Sequence, residues 1–410
     1  MGQTRIPLRP LDEALAQLLG FVVPIRQSEH ISTFDADGRV TAQAVMSALA
    51  VPGWDNSAMD GYALRCTDVT HSGSVLQVGQ RIVAGSAGVA LDGGSVARIF
   101  TGAPIPPGAD AVVMQEDCEV LAGNAGLRVD KVPTPGQWIR RAGEDVALGS
   151  EVLPAGLRLT PAALGLAASI GCATLVVARR PRVALFSTGD ELVMPGDLAP
   201  ELLPAGAIYN SNRFFLRALL RRLGCDVTDM GIVPDQREAT IAALRNAASE
   251  HDLVLTSGGV SVGEEDHVKP AVAALGSLDL WQIAIKPGKP FAYGRVGVAH
   301  FMGLPGNPVS SLVTFLLLVR PFVLRLQGVR DVAPVVTHMR ADFAWPKPDR
   351  RREFLRVRLN AASGLDLFPN QSSGVLTSAV WGDGLVDNPP GDAIAPGDTV
   401  RYMSLTALMD

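Results

Sequence analysis

Cysteine is scarce in this sequence, and the four residues present, Cys66, Cys118, Cys172 and Cys225, lie far apart. No two of them form a C-x-x-C pair, which argues against a structural zinc site. Dispersed thiols in a long chain are typical of a reducing compartment without disulfides, so we expect a cytoplasmic protein.

Long apolar segments and excess positive charge are also missing. The N-terminus lacks the apolar stretch of a secretory signal peptide. The most apolar segment, residues 312–326, contains Arg320 and Pro321 and is too short to span a bilayer, so we predict a buried helix and no membrane association. The formal net charge of -5 argues against nucleic-acid binding driven by bulk charge.

What the sequence does contain indicates several globular domains. Apolar residues make up 47% of the 410 residues, against 19% charged residues, and a chain of this length exceeds one ordinary core. Residues 11–21 have the apolar periodicity of a helix. Residues 51–146 carry short β-branched segments between glycines and prolines, which predicts a β-rich module. Residues 147–177 are predicted to be a connector that returns to the N-terminal segment.

From residue 182 onward the pattern alternates between strand and helix. Residues 182–187 form the continuous apolar run of a strand that is buried on both faces. Asp235 is predicted to cap a helix, with Glu238 at capping-box spacing. The alternation predicts a parallel sheet covered by helices on both faces. Beyond residue 331, short strands and frequent turns predict a small all-β domain.

A glycine-rich segment, residues 256–269, follows a predicted strand at the position where α/β proteins bind ligands. Its glycines let backbone N–H groups approach an anion, its hydroxyls add donors, and its carboxylates suit Mg²⁺. These residues are Thr256, Ser257, Gly258, Gly259, Ser261, Gly263, Glu264, Glu265 and Asp266. The same composition also fits a glycine turn that leads into an acidic helix start.

Lys286 and Lys289 lie in a short loop with two prolines and a glycine. A stiff loop of this kind holds two positive charges in place, so an oxyanion would bind there with little loss of protein freedom. A solvated hairpin turn is the alternative explanation of the same residues.

Four further segments are polar and rich in turn residues. Residues 187–191 end a predicted strand, and their two acidic residues are expected at the start of a helix, where capping alone is an equal explanation. Residues 303–308 predict a rigid turn before a helix. Residues 55–63 and 139–145 lie outside the α/β region, and a turn and a surface ion-pair network explain them better when they are considered alone.

Taken together, these motifs resemble the molybdopterin molybdenumtransferase family, to which bacterial MoeA and the gephyrin E domain belong. The matching segments occur in the family's order and comprise residues 55–63, 99–104, 140–145, 187–192, 256–269, 286–291 and 303–308. The resemblance implies that the chain inserts molybdenum from molybdate into adenylylated molybdopterin, with Mg²⁺ as cofactor and with release of AMP.

The resemblance also implies a multidomain α+β and α/β fold and an elongated homodimer. Its domains would be an elongated, discontinuous domain I, a β-rich domain II, a three-layer α/β domain III with a mainly parallel sheet, and a C-terminal β-barrel. Their expected limits are residues 1–46 with 147–179, 47–146, 180–328 and 329–410. The active site would lie between domain III of one subunit and domain II of the other. Contacts with other proteins of molybdenum-cofactor biosynthesis are also implied.

Position by position, the resemblance assigns several groups of site residues. It assigns the pterin phosphate and nucleotide to Thr256, Ser257, Gly258, Gly259, Ser261 and Gly263, and further cofactor binding to Pro305 and Pro308. It assigns the molybdate site to Lys286, Lys289 and Pro290, completed by Arg351 and Ser373. The catalytic acidic residues, which are also the expected magnesium ligands, are Glu191, Asp235 and Asp266. The residues expected from the partner subunit are Asp60, Thr101 and Asp145.

One position departs from the family, and two other functions stay open. Gln282 stands where members commonly carry a lysine or an arginine, which removes a positive charge near the proposed anion site, and Arg351 is a candidate to compensate. A non-catalytic scaffold, the second role of the gephyrin E domain, would not need the intact carboxylates and lysines. A molybdopterin adenylyltransferase would not need the additional domains.

Overall fold

The computed structural model describes residues 8–259 and 267–409. Its N-terminal segment contains β1 (Leu8–Arg9), α1 (Leu11–Gly20), β2 (Ser28–Ser32) and β3 (Val45–Met46). The helix expected near the N-terminus is confirmed as α1. Its apolar residues recur three and four positions apart, so Leu11, Ala14 and Leu18 are buried together in the core of the central domain.

A β-rich region follows, as expected. Its strands are β4 (Asn56–Ser57), β5 (Gly61–Leu64), β6 (Ser74–Ile82), β7 (Ser95–Ile99), β8 (Ala111–Met114), β9 (Cys118–Leu121), β10 (Gly126–Val129) and β11 (Ile139–Arg140). Six of them form one sheet in the order β8-β5-β7-β6-β10-β9. The sheet buries a separate apolar cluster on each face, because Tyr62 and Leu64 alternate with Ala63 along β5.

The chain then returns to its N-terminal segment. The elements of this return are β12 (Glu151–Leu153), α2 (Pro161–Ser169) and β13 (Thr174–Ala178). β12 pairs with β3, and β13 pairs with β2, both in antiparallel orientation. The connector therefore packs against the N-terminal segment as expected, while the limits of the individual domains stay a prediction.

The central domain is built on a seven-stranded sheet. Its first elements are β14 (Arg182–Thr188), β15 (Leu192–Val193), β16 (Ile208–Tyr209), α3 (Asn212–Arg222), β17 (Asp226–Val233), α4 (Arg237–Glu250) and β18 (Leu253–Ser257). They are followed by α5 (Val268–Leu275), β19 (Gly276–Ile283), β20 (Ile285–Lys286), β21 (Pro290–Val296) and β22 (Ala299–Leu304).

This sheet is mainly parallel, as expected. Its strand order is β1-β19-β21-β22-β18-β14-β17. Four neighbouring pairs are parallel, and only β21 is antiparallel to both of its neighbours. Val183 and Leu185 of β14 face the cluster that contains α3, whereas Ala184 and Phe186 face α4 and α5. Helices thus cover both faces of the sheet, which explains the continuous apolar run in β14.

The last helix of the central domain is apolar throughout. It consists of α6 (Pro308–Thr314), a π-helical segment (Phe315–Val319) and α7 (Arg320–Leu326). In the described part of the chain, this is the one helix that is long and apolar enough to cross a membrane, with a mean hydropathy of 1.8. Since 89% of it is buried inside the protein, it serves as a core helix, as expected.

The C-terminal region is a five-stranded barrel, as expected. Its elements are β23 (Thr337–Ala341), β24 (Arg352–Leu359), β25 (Gly364–Leu367), α8 (Thr377–Trp381), β26 (Gly384–Asn388), β27 (Thr399–Ser404) and α9 (Leu405–Met409). β24 pairs with both β25 and β26, which closes the barrel. β20 of the central domain also pairs with β24 and places Lys286 opposite Glu353. The barrel is therefore hydrogen-bonded directly to the central domain.

The expected cap of α4 is wrong. The helix begins at Arg237, and its N-cap position is Gln236, which makes no side-chain capping bond. The N–H of Gln236 donates to the carbonyl of Pro234 at 2.7 Å, so a tight turn separates Asp235 from the helix. Asp235 lies outside the helix and lines the neighbouring cavity.

The helix expected after β14 is also wrong. Asp190 and Glu191 lie in a turn, in which the N–H of Leu192 donates to the carbonyl of Gly189 at 3.0 Å. The short strand β15 follows and pairs with β16. Pro195 lies only four residues beyond Glu191, and a proline at that distance opposes continuation of a helix.

Candidate functional site

A cavity of about 700 Å³ opens at the carboxyl ends of β14, β18 and β22. This edge of an open α/β sheet is where ligands generally bind. Its predicted site residues are Glu191, Asp235, Ser257, Gly258, Gly259, Pro290, Pro305 and Pro308. Its other lining residues include Thr188, Gly189, Tyr209, Asn210, Asn212, Asn307, Ser310 and Gly374. The structure thus collects motifs that are widely separated in the sequence.

Two glycines are required where the chain leaves β18. Gly258 has a φ of +94°, and a Cβ atom there would lie 2.7 Å from the carbonyl oxygen of Thr188. Gly259 has a φ of +67°, and its Cβ atom would lie 2.4 Å from Val268. The N–H of Gly258 already donates to Leu304 at 3.1 Å, so it is not available to a ligand. The Gly259 N–H has no hydrogen-bond partner among the described residues, so of the two glycines it is the candidate backbone donor.

Two asparagines in this cavity were not predicted. Asn212 donates from Nδ2 to Ser257 Oγ and to the Gly306 carbonyl, both at 2.7 Å, and so joins the start of α3, the end of β18 and the loop after β22. Asn210 is only 2% exposed, and its Nδ2 has no hydrogen-bond partner among the described residues. A buried amide without a partner is costly, and a ligand in the cavity would satisfy it. Neither asparagine belongs to a recognisable motif, since Asn210 precedes an ordinary helix and Asn212 begins it.

Thr256 is placed differently from its neighbours. It lies inside β18, is fully buried, and does not line the cavity. Its Oγ1 has no hydrogen-bond partner among the described residues. The predicted residues Ser261, Gly263 and Asp266 lie outside the described part of the chain.

The carboxylates of the cavity come from two loops. Glu191 and Asp235 both line it, and the N–H of Asp235 donates to Asp190 Oδ1 at 3.3 Å, which joins the two loops. Among the described residues, no three histidine, cysteine or acidic side chains form a group that could hold a metal ion. Two carboxylates still fit Mg²⁺, because protein sites for this ion commonly supply one or two carboxylates beside substrate phosphates.

Lys286 is paired with acidic residues of the barrel. Its Nζ lies 3.0 Å from Glu353 Oε1 and 3.5 Å from Asp349 Oδ2. Glu353 is 1% exposed, and its Oε2 accepts hydrogen bonds from Trp345 Nε1 at 2.8 Å and from the Asp349 N–H at 3.0 Å. Lys286 thus compensates a buried carboxylate. Lys289 is exposed, and neither lysine lines the cavity itself.

Arg351 joins this cluster through Asp349. Its Nε and Nη2 each donate to a carboxylate oxygen of Asp349 at 2.9 Å. These bonds raise the pKa of Arg351 and hold the pKa of Asp349 well below its usual range. Lys286, Arg351, Asp349 and Glu353 therefore form a cluster without net charge. Arg351 lies beside Lys286 as the resemblance implies, but its charge is already balanced and does not replace the one missing at Gln282.

Ser373 brings the barrel to the edge of the cavity. Its carbonyl accepts a hydrogen bond from the Val309 N–H at 2.9 Å, near the start of α6. The next residue, Gly374, lines the cavity. Ser373 therefore supports the cavity wall through its backbone.

The three residues predicted in the β-rich region do not line this cavity. Asp60 Oδ1 accepts hydrogen bonds from the backbone N–H and the hydroxyl of Thr101, both at 2.8 Å, and these bonds lower the pKa of Asp60. Asp145 is exposed and makes no hydrogen bond to either residue in the described chain. The structure thus brings Asp60 and Thr101 together and leaves Asp145 apart from their bonds.

An ion pair links the two polar segments of this region. Asp55 Oδ2 lies 2.5 Å from Arg141 Nη1, and Asp55 Oδ1 accepts the N–H of Ala142 at 2.8 Å. The backbone hydrogen bond and Arg141 lower the pKa of Asp55 despite the opposing effect of burial. The surface ion-pair explanation of these segments is therefore correct for Asp55 and Arg141.

The fold and the cavity define a multidomain α/β protein with a glycine-lined ligand site, and solved structures share this architecture. A crystal structure of the molybdopterin biosynthesis MoeA protein of Pyrococcus horikoshii OT3 matches with a TM-score of 0.84 at 27% identity, over 97% of this chain and 100% of that one. A second structure of the Pyrococcus horikoshii protein matches with a TM-score of 0.76 at 31% identity, over 97% of this chain and 99% of that one.

Sequence comparisons lead to the same family. Residues 9–171 match the MoeA N-terminal region (domain I and II), residues 184–325 a probable molybdopterin binding domain, and residues 338–405 the MoeA C-terminal region (domain IV). The molybdopterin molybdenumtransferase of Haemophilus influenzae is 41% identical over 86% of this chain and 83% of its own length. That of Nostoc sp. is 35% identical over 93% and 89%. The chain belongs to the MoeA family of molybdopterin molybdenumtransferases.

Proposed function

We propose that the chain transfers molybdenum from molybdate to adenylylated molybdopterin and releases AMP. The observation that carries the proposal is the 700 Å³ cavity, which combines the backbone at Gly259, the unpartnered amide of Asn210, and the carboxylates of Glu191 and Asp235. Its volume lies in the range of pockets that hold small molecules of nucleotide size. The names of the relatives support the same activity.

The cavity residues have separate roles in this proposal. The Gly259 N–H and the Asn210 amide donate hydrogen bonds to the phosphate and the nucleotide. Asn212 holds Ser257 and Gly306 in position through its two hydrogen bonds. Glu191 and Asp235 would hold Mg²⁺. When bound, this ion neutralises the charge that develops on the phosphoanhydride as it breaks.

Molybdate would bind beside the cavity, near the loop of Lys286 and Lys289. It is a dianion and needs fixed positive charges. Lys286 and Arg351 are held in place by Asp349 and Glu353, whereas Lys289 has no carboxylate partner in the described chain. Lys289 thus supplies the uncompensated charge, and Pro290 links its loop to the cavity wall.

The active form would be a cytoplasmic homodimer that works with other proteins of molybdenum-cofactor biosynthesis. Asp60, Thr101 and Asp145 do not line the cavity, and Asp60 and Thr101 form an exposed polar pair. In this proposal the three residues of one subunit complete the cavity of the other.

The test is an assay of AMP release. Purified protein given adenylylated molybdopterin, molybdate and Mg²⁺ should release AMP only when molybdate is present. Asp235→Asn and Glu191→Gln should slow the reaction and raise the Mg²⁺ concentration needed for half-maximal rate, without loss of fold by circular dichroism. Lys131→Gln, which alters a surface ion pair in the β-rich region, is the matched control. AMP release that does not depend on molybdate would overturn the proposal and favour a different reaction; no release would favour a scaffold.

A further inference from the structure

A groove on the β-rich region carries two arginines and no acid. Its volume is about 680 Å³, and it lies on one face of the sheet formed by β5, β7 and β6. Arg81 and Arg98 line it together with Tyr62, Gln77 and Gln80. No acidic side chain is among its described lining residues, so the groove has a net positive charge.

The register of the strands places the two arginines side by side. Arg98 of β7 is opposite Arg81 of β6 on one side and opposite Tyr62 of β5 on the other. Neighbouring strands lie about 5 Å apart, so the side chains of such partners share one face of the sheet. Like charges in these positions repel each other and destabilise a sheet. The pair therefore needs a compensating contact.

Aromatic rings hold both guanidinium groups. Arg81 and Arg98 lie 4.8 Å and 4.6 Å from the centre of the Phe100 ring, and Arg98 also lies 5.2 Å from that of Tyr62. Arg98 donates to the Gly61 carbonyl at 2.8 Å and to Gln115 Oε1 at 2.6 Å. These contacts fix the side chains, but none of them supplies a negative charge.

Two other cations of the same region are neutralised. Arg65 pairs with Asp68 at 3.0 Å, and Lys131 pairs with Asp117 at 2.6 Å. The Arg81 side chain, by contrast, makes no hydrogen bond or ion pair with any residue in the described chain, and the acceptors of Arg98 are neutral oxygens. The carboxylate of Asp60 lies close enough to Arg98 for their charges to interact, so Arg81 is the arginine of the pair without a counterion in the described chain. Two fixed guanidinium groups, one of them uncompensated, are suited to a phosphate ligand, since planar guanidinium groups bind phosphate oxygens in pairs.

We propose that this groove binds the phosphate group of a phosphorylated small molecule. A phosphate monoester carries close to two negative charges at neutral pH, which matches the two arginines. The volume of the groove leaves room for the rest of a molecule of nucleotide size. Gln77 and Gln80 add amide groups along its wall. Within one chain the groove is separate from the cavity of the central domain, and the inference does not rest on the function proposed there.

The test is a calorimetric titration of the full-length protein with AMP at low ionic strength. Arg81→Gln should remove one AMP site per chain or weaken it about ten- to a hundredfold, the effect of one charge-assisted contact. Lys131→Gln removes the same charge from an exposed lysine of the same region, which is paired with Asp117, and should leave the site intact. Inorganic phosphate should compete with AMP for the site that Arg81 supports.

Three results would overturn the inference. In the first, Arg81→Gln leaves the number and affinity of AMP sites unchanged. In the second, Lys131→Gln weakens binding as much as Arg81→Gln, which would mean that bulk charge attracts the ligand. In the third, inorganic phosphate does not compete at the site. The AMP-release assay is a separate measurement, because Arg81 neither lines the central cavity nor belongs to the residues proposed to complete the cavity of the other subunit.

Discussion

Replacing Lys286 by methionine should destabilise the protein as well as impair molybdate binding. The substitution leaves Glu353, which is 1% exposed, without its cation, while the Trp345 and Asp349 hydrogen bonds remain. Breaking a fully buried ion pair costs roughly 3–5 kcal/mol. Because the Lys286 side chain is 37% exposed and Glu353 keeps two donors, we expect a smaller loss, about 2 kcal/mol.

A double-mutant cycle separates the two roles of Lys286. Glu353→Gln keeps the shape of the side chain and removes its charge. In Lys286→Met/Glu353→Gln neither charge remains, so most of the lost stability should return and the coupling free energy should be about 1–2 kcal/mol. Urea unfolding followed by tryptophan fluorescence measures the free energies, since Trp345 donates a hydrogen bond to Glu353.

The AMP-release activity of the double variant then shows whether Lys286 has a catalytic role in addition to its structural one. If Lys286 also serves the oxyanion, the double variant should be stable but still require several-fold more molybdate for half-maximal AMP release. Full recovery of activity together with stability would mean that Lys286 is a structural residue only. An unchanged urea midpoint in Lys286→Met alone would refute the reasoning, because the buried carboxylate would then not need its cation.

Three other predictions follow from the described residues. Gly258→Ala should lose at least about 1–2 kcal/mol of stability and most activity, because its Cβ atom would lie 2.7 Å from Thr188 at a residue with positive φ. The control is Gly165→Ala, whose Cβ atom would have no neighbour within 4 Å, and which should be neutral or stabilising. Urea unfolding measures both effects. Burial lowers the pKa of His300 to about 4, below its unfolded value of about 6.5. Because the folded protein holds this imidazole neutral, the contribution of His300 to the free energy of unfolding is complete above pH 6.5 and is lost as the pH falls towards 4. Unfolding should cost about 2 kcal/mol less at pH 5 than at pH 7, and His300→Gln should flatten this dependence; an equal slope in both proteins would exclude His300 as its source. Mixing inactive Asp60→Asn and Asp235→Asn chains after partial denaturation should restore roughly a quarter of wild-type AMP release if the site is shared between two subunits, and none if each chain works alone.

The sequence predicts the fold well because its signals are local. The alternation of apolar strands and amphipathic helices indicates the central sheet, and the apolar run of β14 reflects its burial on both faces. Two local expectations fail, at Asp235 and Glu191, because a tight turn and a short strand take positions that the pattern assigns to helix starts. Both residues nevertheless reach the cavity, since the sheet topology and not the helix starts brings the loops together.

The candidate site is predicted only where a motif is present. Gly258 and Gly259 are recognisable because the backbone there tolerates no side chain. Asn210 and Asn212 carry no such signal, because their importance depends on burial beside loops that lie far away in the chain. The partner of Lys286, Glu353, lies 67 residues further on, in a strand whose sequence indicates only a barrel.

Because the charges around Lys286 are balanced, the glutamine at position 282, where the family commonly carries a basic residue, has a larger effect on the charge of the proposed anion site. Lys286 and Arg351 carry two positive charges, and Asp349 and Glu353 carry two negative ones, so the cluster attracts an oxyanion only weakly at a distance. A basic residue at position 282 would add an uncompensated charge, which glutamine does not. In the proposed site, attraction of molybdate would therefore rest on exposed Lys289, and an anion that approaches Arg351 must compete with the Asp349 carboxylate for the same donors.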